Sequence, residues 1–255
     1  MCPLKSERIK KPKFGELDIS EDLPRVLDIR SNCLKYRNKL KKFHQFYKDK
    51  RVIVVGSSKE FVAPIWGTED IIVCINGSSH NAEKMGVYVP HLTMIVSYLT
   101  AQVTRQHRVT FELLDGRKTR DLVFVTGTLD LDQCVENLKQ IDFSYKNRSE
   151  ITAFELAAAV GTVCGAELGM GKMDQRVSTG MVAIALAILG GASEVVLAGF
   201  SFTKGHSYMN IATKRWHLAA DIEFLKLCSD KRLRLSTTSK EISRLCNLSL
   251  ADRKM

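Results

Sequence analysis

No run of apolar residues in this 255-residue chain approaches the ~18 that a membrane-spanning helix needs, so no span is expected. The opening stretch, MCPLKSERIKKPKFGELD, is charged with no apolar core behind it, unlike a secretory signal, and a cytosolic location is expected. No CxxC pair occurs among the seven cysteines at 2, 33, 74, 134, 164, 228 and 246. That removes support for a zinc ribbon or a thioredoxin-type redox pair and leaves reduced thiols acting as small apolar residues. Internal repeats and low-complexity tracts are also missing. Apolar residues at 45% and charged residues at 26% are ordinary values, which exclude wholesale disorder, a collagen and a small disulfide scaffold. The length allows one large domain, or one domain with an appendage.

What is present in excess is positive charge. The net charge is +10, and residues 1–50 hold fourteen Lys/Arg against seven Asp/Glu. From Arg30 to Arg51, lysines and arginines interleave with Leu34, Leu40, Phe43, Phe46 and Tyr47. Leu40, Phe43 and Tyr47 fall at i, i+3 and i+7, which a helix gathers along one side. A solvated helix packed on the main domain fits this pattern, and so does contact with anionic lipid headgroups. Nucleic acid fits less well, because no helix-turn-helix, zinc-finger or RNA-recognition signature accompanies the charge. Residues 1–50 are therefore read as a basic, partly helical segment and 51–255 as the main domain.

From residue 51 the texture changes. Val52–Val55 ends in Gly56-Ser57-Ser58, and Ile71–Ile75 ends in Asn76-Gly77; each reads as a buried strand followed by a turn. HLTMIVS (91–97) and DLVFVTG (121–127) are further strands. STGMVAIALAILGG reads as an apolar helix opened by Ser178 or Thr179 and closed by Gly190-Gly191. SEVVLAGFSF then supplies a strand, RWHLAADIEFLKLCSD an amphipathic helix and LRLSTTS a last short strand. The alternation predicts an α/β domain with a mainly parallel sheet sandwiched by helices, with ligands at the C-terminal strand ends.

Several residues could carry chemistry. GSSKEF has one glycine, so it is neither a dinucleotide fingerprint nor a P-loop, yet its N–H groups and hydroxyls can face a phosphate or ribose. Asn76 is a turn residue, or a base-reading amide if it faces a cleft. Asp130 and Asp132 form a D-x-D that could hold a divalent metal, but acidic residues at that point also suit a helix start, which is the favoured reading. His217 stands four residues before Asp221, so a helix puts both on one side, with His206 and Tyr208 on the preceding loop. Together they make a candidate general-base region.

The segment 176–228, with RVSTGMVAIALAILGGASEVVLAGFSF, KGHSY and RWHLAADIEFLKL, resembles the bacterial sialyltransferases that build surface glycolipids from CMP-sialic acid. VIVVGSS and IIVCINGSS are similar to that family's first two strands. The resemblance runs in order over roughly residues 51–240 and implies a Rossmann-like domain. It implies that Gly56, Ser57, Asn76, Gly77, the turn Ser178-Thr179-Gly180 and Thr203 border the CMP moiety. It also implies that Tyr208 donates to the leaving phosphate, that His217 is the general base for the acceptor hydroxyl, and that Arg176 belongs with them at the head of its motif. Ser57 stands where the family has asparagine, Thr203 where it has a second tyrosine, and its asparagine after the third strand has no match near Ser97-Tyr98.

The function so implied is an inverting transfer of an acidic sugar from a CMP-activated donor to a glycan or glycolipid acceptor. No metal or other cofactor is expected, since CMP leaves with a single phosphate that hydroxyl and backbone donors can stabilise. The alternatives are a CMP-Kdo-type transferase and a non-catalytic nucleotide- or glycan-binding relative. A Rossmann-type SAM or NAD enzyme is disfavoured, because Asn76 stands where an acidic residue should end the second strand. The resemblance further suggests a homo-oligomer and, with the basic segment, a peripheral place at the inner membrane surface near a lipid-linked acceptor.

Overall fold

The structure is a computed structural model of the chain, and it describes residues 40, 43–125, 131–164, 176–206 and 217–252. Among the described residues eight strands form a single sheet: β1 (Arg51–Val55), β2 (Ile71–Ile75), β3 (Leu92–Val96), β4 (Lys118–Val125), β5 (Ser144–Ile151), β6 (Glu194–Ala198), β7 (Leu235–Thr237) and β8 (Ser249–Leu250). The helices among the described residues are α1 (His44–Tyr47), α2 (Ser79–Lys84), α3 (Ser97–Thr100), α4 (Arg105–Glu112), α5 (Leu131–Leu138), α6 (Ala153–Cys164), α7 (Thr179–Leu189), α8 (Leu218–Asp230) and α9 (Lys240–Cys246). The strand order is β5-β4-β3-β2-β1-β6-β7-β8, and every pair is parallel. The protein therefore has an open, doubly wound, Rossmann-like α/β fold.

Apart from Arg51, Thr93 and Glu194, strands β1, β2, β3 and β6 are apolar, because both of their faces are covered. Val52 and Val54 of β1 enter one core with Ile71 and Val73 of β2 and Val195 and Leu197 of β6. Ile53, Ile72 and Val196 point the other way, into a smaller core closed by Ala82, Met85 and Val87. Helix α7 is buried from Gly180 to Ala187, which explains an apolar sequence with no polar face. Its start follows an extended Ser178, and its C-cap is Gly190, as the sequence predicts.

Leu40, Phe43 and Tyr47 belong to the larger core, so the apolar side of the basic segment packs on the sheet domain from residue 40 onward. Cys74, Cys134, Cys164, Cys228 and Cys246 are buried thiols, not disulfides. Burial pushes the Cys74 thiol up to about 12 and the Cys246 thiol to about 11, consistent with packing roles.

Three elements depart from the sequence expectation. β5 and α6 were not expected, although α6 opens on a capping box in which Thr152 N–H donates to Glu155 Oε2 at 2.8 Å and Glu155 N–H to Thr152 Oγ1 at 3.3 Å, and β8 follows β7, so LRLSTTS does not hold the last strand. Strand β5 lies at the sheet edge and is largely exposed, with only Ile151 fully buried, which removes the apolar run by which a strand is recognised.

Candidate functional site

Strands β2 to β5 extend to one side of β1, while β6 to β8 extend to the other. The direction in which strands are added to the sheet therefore reverses between β1 and β6, and the crevice outside their C-terminal ends is where open α/β sheets bind ligands. A cavity of about 810 Å³ opens there, a volume suited to a nucleotide-sized molecule. Its floor is made by the turns after β1, β2 and β6 and by the start of α7.

These turns are fixed by bonds that only the folded sheet can make. Ser58 N–H donates to Gly199 O at 2.8 Å, and the Asn81 amide donates to Gly56 O at 2.8 Å. Ser78 Oγ accepts from Ile75 N–H at 2.8 Å and donates to Val55 O at 2.6 Å, tying the end of β2 to the end of β1. Asn76 adopts the left-handed conformation (φ 52°), which asparagine tolerates, and its Oδ1 accepts from Val96 N–H at 3.1 Å. One end of its amide is thus spent on the end of β3, while the residue still lines the cavity.

The His217 ring contacts Arg176 O through Nδ1 at 2.7 Å. A carbonyl can only accept, so Nδ1 carries the proton and the neutral ring keeps its lone pair on Nε2. His217 lines the cavity from the N-cap of α8, one turn before the buried Asp221. Asp221 Oδ1 accepts from Ser178 N–H at 2.7 Å, which locks the start of α8 to the start of α7. Ser178 makes no side-chain cap to α7, leaving its hydroxyl for the cavity it lines.

On the opposite wall are α3 and α4. The Tyr98 and His107 rings lie 5.0 Å apart, and Val103 is 76% exposed at the rim. Burial lowers the His107 pKa from the ordinary imidazole value, and its Nδ1 is a buried nitrogen with no hydrogen-bond partner among the described residues. Across the floor, Ser57 Oγ and His206 Nδ1 are 2.6 Å apart, and His206 Nε2 is 3.4 Å from the Gln106 amide nitrogen.

Of the residues singled out from sequence, Gly56, Ser57, Asn76, Ser178, Thr179, Gly180 and His217 line this one cavity. Three do not. Gly77 packs against Thr110 and Leu113 of α4, where a Cβ would stand 3.0 Å from Thr110 Cγ2. Thr203 is exposed, its N–H donating to Ser201 Oγ at 3.3 Å. Arg176 contributes its carbonyl to His217, and its side chain is outside the lining. Tyr208 and Asp130 lie outside the described residues, and Asp132 stands in the first turn of α5. Among the described residues no group of three or more His, Cys, Asp or Glu could hold a metal, and no helix is long and apolar enough to cross a membrane.

Sequence reasoning missed the α3–α4 wall and Phe200. The Phe200 ring occupies the space that a Cβ on Gly180 would need, wedged between that glycine and Gly56. An aromatic directly after Gly199 at a strand end was the available signal.

The fold and cleft place the protein among doubly wound α/β proteins with a ligand crevice at the β1/β6 reversal. Its sequence matches no protein-family model and no curated protein. Among solved structures, monomeric CstII is similar with a TM-score of 0.50 at 12% identity, covering 81% of this chain and 89% of that one. The sialyltransferase CstII from Campylobacter jejuni, in complex with the substrate analogue CMP-3FNeuAc, has a TM-score of 0.49 at 13% identity over 81% of this chain and 89% of that one. The monofunctional alpha-2,3-sialyltransferase Cst-I of the same organism has a TM-score of 0.49 at 13% identity, over 80% of this chain and 81% of that one. At such identities the likeness to monomeric CstII concerns the fold.

Proposed function

We propose that the protein is an inverting glycosyltransferase that moves an acidic sugar from a CMP-activated donor to the hydroxyl of a glycan or glycolipid acceptor. The observation that carries this reading is His217, whose Nδ1 is held on Arg176 O so that Nε2 is the nitrogen left for substrate, in the same cavity as Ser57, Asn76 and the Ser178-Thr179-Gly180 turn. The solved sialyltransferases of similar fold include one in complex with a trisaccharide acceptor and CMP, which supports the donor and acceptor classes.

The residues divide the work. The N–H groups that open α7 and the hydroxyls of Ser57 and Ser178 suit the nucleotide phosphate, because a helix start favours anions. Cleavage of the bond from the anomeric carbon to the CMP phosphate gives an oxocarbenium-like transition state, and the phosphate gathers charge as it departs. Donors already aimed at that oxygen stabilise the transition state more than the bound donor. His217 Nε2 then accepts the acceptor's hydroxyl proton as its oxygen attacks the opposite face. The Tyr98–Val103 wall, apolar and partly exposed, suits the ring faces of an acceptor sugar. No step of this scheme requires a metal.

The product's anomeric configuration tests this reading. Proton NMR of sugar transferred from CMP-sialic acid to an acceptor glycan should show the configuration opposite to the donor's. Retention, or no product with any CMP-activated acidic sugar, contradicts it.

A further inference from the structure

Ser57 and His206 are 149 residues apart in sequence and become neighbours because β1 and β6 are adjacent strands. The His206 ring is engaged at both of its nitrogens. Its Nδ1 is 2.6 Å from Ser57 Oγ, its Nε2 faces the Gln106 amide at 3.4 Å, and its backbone forms an antiparallel bridge with Ser58. One residue earlier, Gly205 O accepts from Lys59 N–H at 3.3 Å. Two loops from opposite sides of the reversal point are thus stitched together beside the start of α7, and both Ser57 and His206 line the cavity.

Thr203 cannot serve the phosphate from where it lies, since it is exposed and outside the cavity. The same loop instead delivers His206. We propose that Ser57 and His206 form the phosphate subsite of this cavity, with His206 a positioning residue that acts through the Ser57 hydroxyl. This rests on the CMP-sugar reading above.

The chemistry follows from the hydrogen-bond inventory. When His206 Nδ1–H donates to Ser57 Oγ, the serine's own hydrogen is released to point at a phosphate oxygen. The Gln106 amide nitrogen that faces Nε2 can only donate, so Nε2 accepts and the ring proton sits on Nδ1, where it donates to Ser57. The pair then offers a hydroxyl donor held in one orientation, and a hydrogen bond to an ionised phosphate oxygen is about twice as strong as a neutral one. In the sugar-bound donor the phosphate carries one negative charge, and in free CMP it approaches two. A hydroxyl already aimed at that oxygen therefore favours the departing group over the bound one.

The experiment is calorimetric titration of the full-length protein with CMP and, separately, with cytidine, which lacks the phosphate. His206→Ala should lower CMP affinity at least tenfold while changing cytidine affinity less than twofold. His206→Asn, whose amide N–H can still meet Ser57 at the position of Nδ1, should recover part of the loss. Ser57→Ala should repeat the loss, and the double variant should lose no more than the worse single one, because the two act as a unit. Either single variant suffices if the other fails to fold. An unchanged CMP-to-cytidine ratio in a folded variant, with CMP still bound by the parent protein, overturns the subsite and leaves the nucleotide reading standing. A parent protein that binds neither compound overturns the nucleotide reading, and the subsite with it.

Discussion

Gly56 and Gly199 pass back to back at the point where the sheet reverses, and a Cβ on either would stand 2.6 Å from the other's carbonyl oxygen. The obstacle on each side is backbone, which has little room to yield. This contact seals the cavity floor between β1 and β6 and sets where Ser57 and Phe200 begin. Gly56→Ala is expected to destabilise the protein by about 1–3 kcal/mol, the usual cost of overpacking. Gly199→Ala should cost more, since Gly199 also sits at φ 72°. Urea denaturation checks both, and an unchanged midpoint in either variant contradicts the geometry.

Three histidines make stability depend on pH. His80, His91 and His107 all have pKa values lowered from the ordinary imidazole value, with burial the largest cause in each. His91 Nδ1 also accepts from Ile72 N–H at 3.1 Å, a bond that a protonated ring cannot make. With folded pKa values below the unfolded one, their contribution is complete above about pH 6.5 and is lost as pH falls through the lowered values. The melting temperature should fall between pH 7.5 and 5. His91→Asn, whose Oδ1 can take the same N–H, should flatten that fall, and a slope identical to the parent's argues against the His91 role.

Residues 1–39 carry ten Lys/Arg against six Asp/Glu. Leu40, Phe43 and Tyr47 are core residues, so a truncation that tests surface attachment must stop before residue 40. Removal of 1–39 should abolish binding to anionic vesicles at low salt while the melting temperature stays within a few degrees. Cosedimentation that survives the truncation removes the attachment idea.

Much of the fold was legible because the central strands are covered on both faces and so appear as short apolar runs: Ile71–Ile75 and Val52–Val55 could hardly be anything else. The turn residues at their ends gave the floor of the cavity. What escaped notice has a physical reason in each case. Strand β5 is an exposed edge with little apolar patterning, and α4 buries only Thr110 and Phe111 of its eight residues. The outward placement of Thr203 depends on Glu241 of α9, which accepts from Ser201 Oγ at 2.7 Å and from Phe202 N–H at 3.2 Å. No local pattern around residue 203 encodes a bond to a helix some forty residues later. The Ser57–His206 pair is equally non-local, and the tautomer of His217 depends on a carbonyl 41 residues away.

The central claim is that His217 is the base of a CMP-sugar transferase. Its most direct test is CMP release from CMP-sialic acid and CMP-Kdo in the presence of an acceptor glycan, comparing the parent protein with His217→Ala and Arg176→Ala. The account predicts that His217→Ala lowers release by about 10²–10⁴-fold, the usual contribution of a positioned base, with CMP affinity nearly unchanged. Arg176→Ala, which keeps the carbonyl that holds the ring, should lose far less. The donor turned over faster identifies the sugar. Release that persists in His217→Ala at the parent rate, or CMP bound tightly and never released from any donor, would contradict the account.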